Sequence, residues 1–177
     1  FMMLPVVIPA AIASYSIVGE KTSRSLEPLL ATPITTAELL IGKAVAAAVP
    51  AGLATWGAFG IYVVGARLMV SNLFFGYLID TEWLMAIFVV SPLLTLMAVS
   101  TAMMVSSRVT DPRVAEQLSA VVVLPLLLLI IGQSVGFILI DQRVIVIMGI
   151  VVAVIDAALF YFSVQVFQRE TILTRWK

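Results

Sequence analysis

The chain has 177 residues, 62% of them hydrophobic and 11% charged, with a mean hydropathy of +1.16 and 10 Lys+Arg against 10 Asp+Glu. Soluble domains run at about 45–50% apolar and about 25% charged, so an ordinary soluble enzyme and a disordered tail are both excluded, and a membrane protein of several helices is expected. The zero net charge offers nothing to nucleic acid. Cys and His are both absent, which removes disulfides, thiolate and imidazole metal sites, and Ser-His or Cys-His nucleophile pairs.

A spanning helix needs about 20 mostly apolar residues. Five segments meet or approach this, at about 2–18, 37–65, 83–105, 114–140 and 144–167. They predict an all-α, polytopic helix bundle forming a single transmembrane domain over 1–177. The first segment is short and carries Pro5 and Pro9. The second is longer than one bilayer requires. Pro5, Pro9, Pro50 and Pro125 suggest kinks, which transport helices tolerate. The chain opens at Phe1 with no basic leader before its apolar run, so a signal peptide is not expected, and an N-terminal part is expected to be missing.

Loop charge sets the orientation. Lys21, Arg24 and Lys43, then Arg108 and Arg113, then Arg169, Arg175 and Lys177 fall on one face, while Arg67 and Arg143 fall on the other. Basic residues mark the cytoplasmic side, so the C-terminus is predicted to be cytoplasmic. Trp83 and Trp176 sit at predicted interfaces, where indole rings favour the headgroup zone.

Residues 19–43 carry the most information. Leu26, Leu29 and Leu30 share one side of a helical wheel, and Glu20, Lys21, Arg24 and Glu27 share the other, which describes a short amphipathic element. With Ser25 as N-cap, Pro28 falls in the first turn, where no backbone donor is needed. A short helix over roughly 26–31 is predicted, ended by Thr32-Pro33. Thr35-Thr36-Ala37-Glu38 then reads as a capping box opening the second span. Taken alone, the segment could simply lie on the membrane.

Its residue pattern adds to that reading. Glu20-Lys21, Ser25-Leu26-Glu27, Leu29-Leu30, Thr32-Pro33-Ile34, Glu38-Leu39 and Gly42-Lys43 match, at fixed spacing, around a dozen of the 24 positions from 20 to 43. This resembles the cytoplasmic loop of type 2 ABC exporter permeases. Ser106-Ser107-Arg108, the helix entry at Ala115-Glu116-Gln117-Leu118, and the tail from Phe167 to Leu173 are similar to other stretches of that family. Arg24 departs from it, because many members carry Gly there. The resemblance implies a six-helix plan lacking here its first helix and the external region after it. It also implies a prokaryotic plasma-membrane location. By the same resemblance, residues 19–35 form a coupling element that docks on a separate ABC ATPase, using Glu20, Lys21, Arg24, Ser25, Leu26, Glu27, Leu29, Leu30, Thr32 and Pro33. Glu27 is the leading coupling residue, and its alternative role is a helix-start carboxylate favoured by the dipole. A second permease copy or paralogue would complete a dimer in the bilayer. ATP and Mg would sit on the ATPase, since this chain lacks a P-loop pattern and no cofactor is expected on it.

Other residues admit two readings. Asp156 lies near the middle of the fifth span, where an ionised carboxylate costs about 2.5–3.5 kcal/mol on insertion scales. It either lines a substrate path or binds a cation, or it is protonated or hydrogen-bonded to Ser91 or Thr95. Gly132-Gln133-Ser134-Val135-Gly136 matches G-x-S-x-G but has no His to activate the serine. Its Gly132 and Gly136 read as a helix-packing pair. Ala44, Ala48 and Gly52 form a small-residue packing face beside Ala47 and Ala51. The competing function classes are an ion- or proton-coupled secondary transporter using Asp156, a membrane anchor without transport activity and, more remotely, an intramembrane hydrolase.

Overall fold

The structure, a computed structural model, describes residues 3–23, 35–70, 75–76, 79–135 and 141–166. Five long helices fill those residues: α1 (Leu4–Thr22), α2 (Thr36–Met69), α3 (Thr81–Ser106), α4 (Pro112–Ser134) and α5 (Gln142–Val166). No strand occurs among the described residues. The apolar stretches of α2 to α5 are long enough to cross a membrane, and that of α1, Leu4–Glu20, is shorter. The helices alternate in direction. The end of the bundle that holds Thr22, Thr36, Ser106, Pro112 and Val166 is termed the loop end, and the end that holds Met69, Thr81, Ser134 and Gln142 the far end.

Polar caps set where the helices begin. Thr35 Oγ1 accepts the Glu38 N–H at 3.2 Å while Glu38 Oε2 accepts the Thr35 N–H at 2.7 Å, the reciprocal capping box expected from sequence. Asp80 caps α3 through the Thr81 N–H. Asp111 caps α4 through the Arg113 N–H, with Pro112 in the first position, where no donor is needed. Asp141 accepts the Val144 N–H at 2.9 Å at the start of α5. These caps place the starts of α3, α4 and α5 about two residues before the apolar runs from which the spans were predicted. The C-terminal carbonyls of α1 are served differently. Thr22 donates to Val18 and Gly19, and Ser23 to Gly19.

Proline affects the helices unequally. Pro5 falls in the first turn of α1, and the helix continues through Pro9, as α2 does through Pro50. Pro125 lies inside α4, three residues beyond the end of a 3₁₀ turn at Ala120–Val122. A proline at 125 leaves the Val121 carbonyl without its i+4 donor, and a tightened turn is one way a helix accommodates that loss. The first turns of α3 are followed by a π-helical stretch, Ala86–Val90, and Pro92 comes just after it.

α3 is the hub. Its span is 56% buried inside the bundle, against 17–24% for the spans of α2, α4 and α5. Val6, Ala10, Ala13 and Ile17 of α1 pack at helical spacing against Val90, Leu94, Ala98 and Met103 of α3, joined by Leu40 and Ala47 of α2, Val122 and Leu126 of α4, and Ile145 and Val152 of α5. Ile41, Val45, Val49 and Leu53 recur every four residues on the outward face of α2 and are exposed. In a bilayer such a face meets acyl chains or another protein without a hydrophobic penalty.

Candidate functional site

The segment singled out by sequence connects α1 to α2 along the chain, and the structure describes both stems. Residues Arg24, Ser25, Leu26, Glu27, Leu29, Leu30, Thr32 and Pro33 lie outside the described residues, as does the predicted short helix. Lys21 continues the backbone of α1. Glu20 closes the last turns of that helix and meets Lys43 across the stem in a salt bridge of 2.5 Å. The Lys43 ammonium also donates to Ser16 Oγ at 3.3 Å, one turn further back along α1. The Lys43 side chain is only 11% exposed and that of Glu20 30% exposed, so this pair is screened from water far more than a surface bridge.

Helical geometry places the pair. Lys43 stands seven residues beyond Thr36, about 10 Å along the axis at the α-helical rise. Its long stem lets the ammonium reach α1 while the backbone already lies among apolar residues. Two charged members of the loop pattern, 23 residues apart, thus hold the stems to each other. Sequence reading assigned Glu20 to the loop's outward polar contacts, and counted Lys43 toward loop charge and as part of the Gly42-Lys43 match. In the folded chain the two pair with each other. Ser16 was not anticipated, although it sits one turn before Glu20 on the same helix face.

Deeper in the bundle, Asp156 occupies the face that α5 turns toward α3. Ile145, Gly149 and Val152 precede it at helical spacing and are buried, and a Cβ added at Gly149 would stand 3.9 Å from Val90 of α3. Both Asp156 carboxylate oxygens are buried without a hydrogen-bond partner, as is the Ser163 hydroxyl two turns on. The expected bonds to Ser91 or Thr95 are not made. Thr95 donates instead to the Ser91 carbonyl at 3.0 Å. Back-bonding of this kind also satisfies Thr55, Thr101 and Ser119. A carboxylate cannot do this, because it has no proton to donate.

The expected packing residues divide. Ala47 and Ala51 are buried, while Ala44, Ala48 and Gly52 are half-buried at the rim of the contact. A Cβ at Gly52 would meet nothing within 4 Å. Gly132 is half-buried on α4, and Gly136 lies outside the described residues. Sequence reading missed Pro92 and Trp56, whose indole N–H reaches the Ile87 carbonyl of α3 at 3.3 Å. A Pro shortly after the start of a span and a Trp mid-span were the available signals.

The fold and these sites define a multi-pass membrane protein built of apolar helices. The family model described as ABC-2 family transporter protein matches residues 1–163, and the chain belongs to that family. It is a membrane permease of an ABC transporter, a transport subunit that is not itself catalytic. No curated protein and no solved structure matches it.

Proposed function

We propose that this chain is the permease of an ATP-driven exporter, which receives its drive from a separate ATPase through residues 19–35 and forms the substrate path with a second permease copy or paralogue. ATP and Mg bind the ATPase. The loop end faces the cytoplasm, with the C-terminus on the same side, in a prokaryotic plasma membrane. The carrying observation is the Glu20–Lys43 bridge, which joins the stems so that a push on the loop moves α1 and α2 together. The leucine face of the loop seats against the ATPase, and Glu27 makes the polar contact.

Co-purification tests this. The wild-type chain should carry its ATPase, and Glu27→Arg with Leu29→Asp should lose it while still inserting in the membrane. If the double variant retains the ATPase, the loop is not the coupling element.

One observation favours a second reading. The unpartnered Asp156 carboxylate inside the bundle suits a cation-coupled transporter, since intramembrane ionisable groups mark ion paths. Flux that follows a proton or sodium gradient, ignores ATP and disappears in Asp156→Asn would establish it over the first.

A further inference from the structure

We propose that Trp56 is a positioning residue for transport, whose indole N–H latches the far-end segment of α3 in its π register by occupying a carbonyl that Pro92 leaves without a donor. In the π stretch the Ser91 N–H bonds back five residues to the Ala86 carbonyl. The next bond in that register would run from residue 92 to Ile87, but Pro92 has no N–H. Ile87 is fully buried. A carbonyl left open at membrane depth is costly, since neither water nor lipid tails can serve it there. Trp56 Nε1 fills that position from α2 at 3.3 Å. The indole is itself braced, stacked on Phe88 with centroids 5.9 Å apart, and Phe88 in turn meets buried Phe59 edge-on at 6.4 Å.

The latch joins two ends of one rod. α2 is continuous from Thr36 to Met69. Lys43 ties it to α1 at the loop end, and Trp56, 13 residues and about 20 Å further on, ties it to α3 toward the far end. Movement of α2 that withdraws Trp56 leaves the Ile87 carbonyl with one substitute donor, water arriving from the far side. Release of the latch and wetting of that side therefore go together. Only this final step, in which the ATPase moves α2, rests on the proposed function. π-Bulges inside α-helices recur at functional sites.

The chain has no cysteine, so spin labels can be placed cleanly at Leu68→Cys on α2 and Leu84→Cys on α3, both exposed. Distances between them are measured by pulsed electron resonance on the permease–ATPase complex in lipid nanodiscs, with and without ATP. Without nucleotide, Trp56→Phe, which keeps a ring on Phe88 but removes the donor, should enrich the longer-distance population about fivefold, the ratio expected for one ordinary hydrogen bond. In Trp56→Phe/Pro92→Ala, residue 92 supplies its own N–H, and the distribution should match that of Pro92→Ala alone. An unchanged distribution in Trp56→Phe overturns the latch. So does an equal shift with and without Pro92, which would mean ring packing alone. Pro92→Ala on its own keeps Trp56, so it tests the latch even if Trp56→Phe does not fold. Because withdrawing Trp56 then strands no carbonyl, its longer-distance population without nucleotide should rise about fivefold, and an unchanged distribution overturns the proposal. If ATP leaves the wild type unmoved, the ATPase reading fails while the nucleotide-free comparison still decides the latch.

Discussion

Single side chains at the stems hold the ends of α1 and α2 to each other. Lys43 pairs with Glu20 at 2.5 Å, largely shielded from water. Removing one partner strands the other charge, so Lys43→Met is expected to destabilise the protein by on the order of 1–3 kcal/mol. Glu20→Gln/Lys43→Gln should lose less than the sum of the two single changes, and thermal unfolding of the four proteins in a double-mutant cycle measures the coupling. Strict additivity would mean that the bridge contributes nothing. Glu38→Ala removes one half of the capping box and should cost about 1 kcal/mol, read in the same assay. Asp156→Asn should instead raise the melting temperature, because it removes a group whose ionised form has no partner in an apolar interior. If transport is lost as the temperature rises, the residue is retained for function rather than for folding.

At the scale of the helix, the apolar spans were legible from hydropathy because a bilayer demands them, and their ends were less so. The Thr35–Glu38 box could be read in advance because its partners lie within one turn. Asp80, Asp111 and Asp141 were passed over, because each lies outside the apolar run that marks a span, and so three helices begin earlier than expected. The Glu20–Lys43 pair and the Trp56–Ile87 bond join residues 23 and 31 positions apart, and periodicity within one helix carries no information about such pairs. Glycine shows the same limit. Sequence spacing marked Gly52, where an added Cβ would meet nothing within 4 Å, but not Gly149, where it would meet Val90 of a neighbouring helix. Gly149→Ala should be tolerated, since its Cβ would stand at an ordinary contact distance of 3.9 Å from Val90. Gly149→Leu should push α5 from α3 and cost about 1–3 kcal/mol. Gly52→Ala, in open space within this chain, should stabilise α2 by up to about 1 kcal/mol through helix propensity. A loss instead would show that a second chain packs closely there.

For the whole molecule, the balance of burial singles out α3 as the fixed axis, with the other spans more open to their surroundings. The alternation of charge along the chain predicts an up-and-down order of five spans. Lys43, Arg108 and Arg113 gather at the loop end, while Arg67 lies at the far end with its guanidinium 5.2 Å from the Phe75 ring centroid. Cysteines introduced at Ser107 and at Asp141 should therefore react with a membrane-impermeant maleimide from opposite sides, Asp141→Cys in intact cells and Ser107→Cys only after permeabilisation. Labelling of both in intact cells would reverse or break the topology. The site was less legible than the fold, because apolar spans answer to the solvent around them, whereas contacts between helices depend on how the helices pack.

The length of α2 has a physical consequence of its own. Its 34 residues extend about 51 Å, whereas the hydrocarbon layer is about 30 Å thick. The excess must stand clear of the acyl chains or be absorbed by leaning, and the lean changes with the thickness of the surrounding lipid. Since this helix carries both Lys43 and Trp56, acyl-chain length becomes an input to the machine alongside whatever drives its loop.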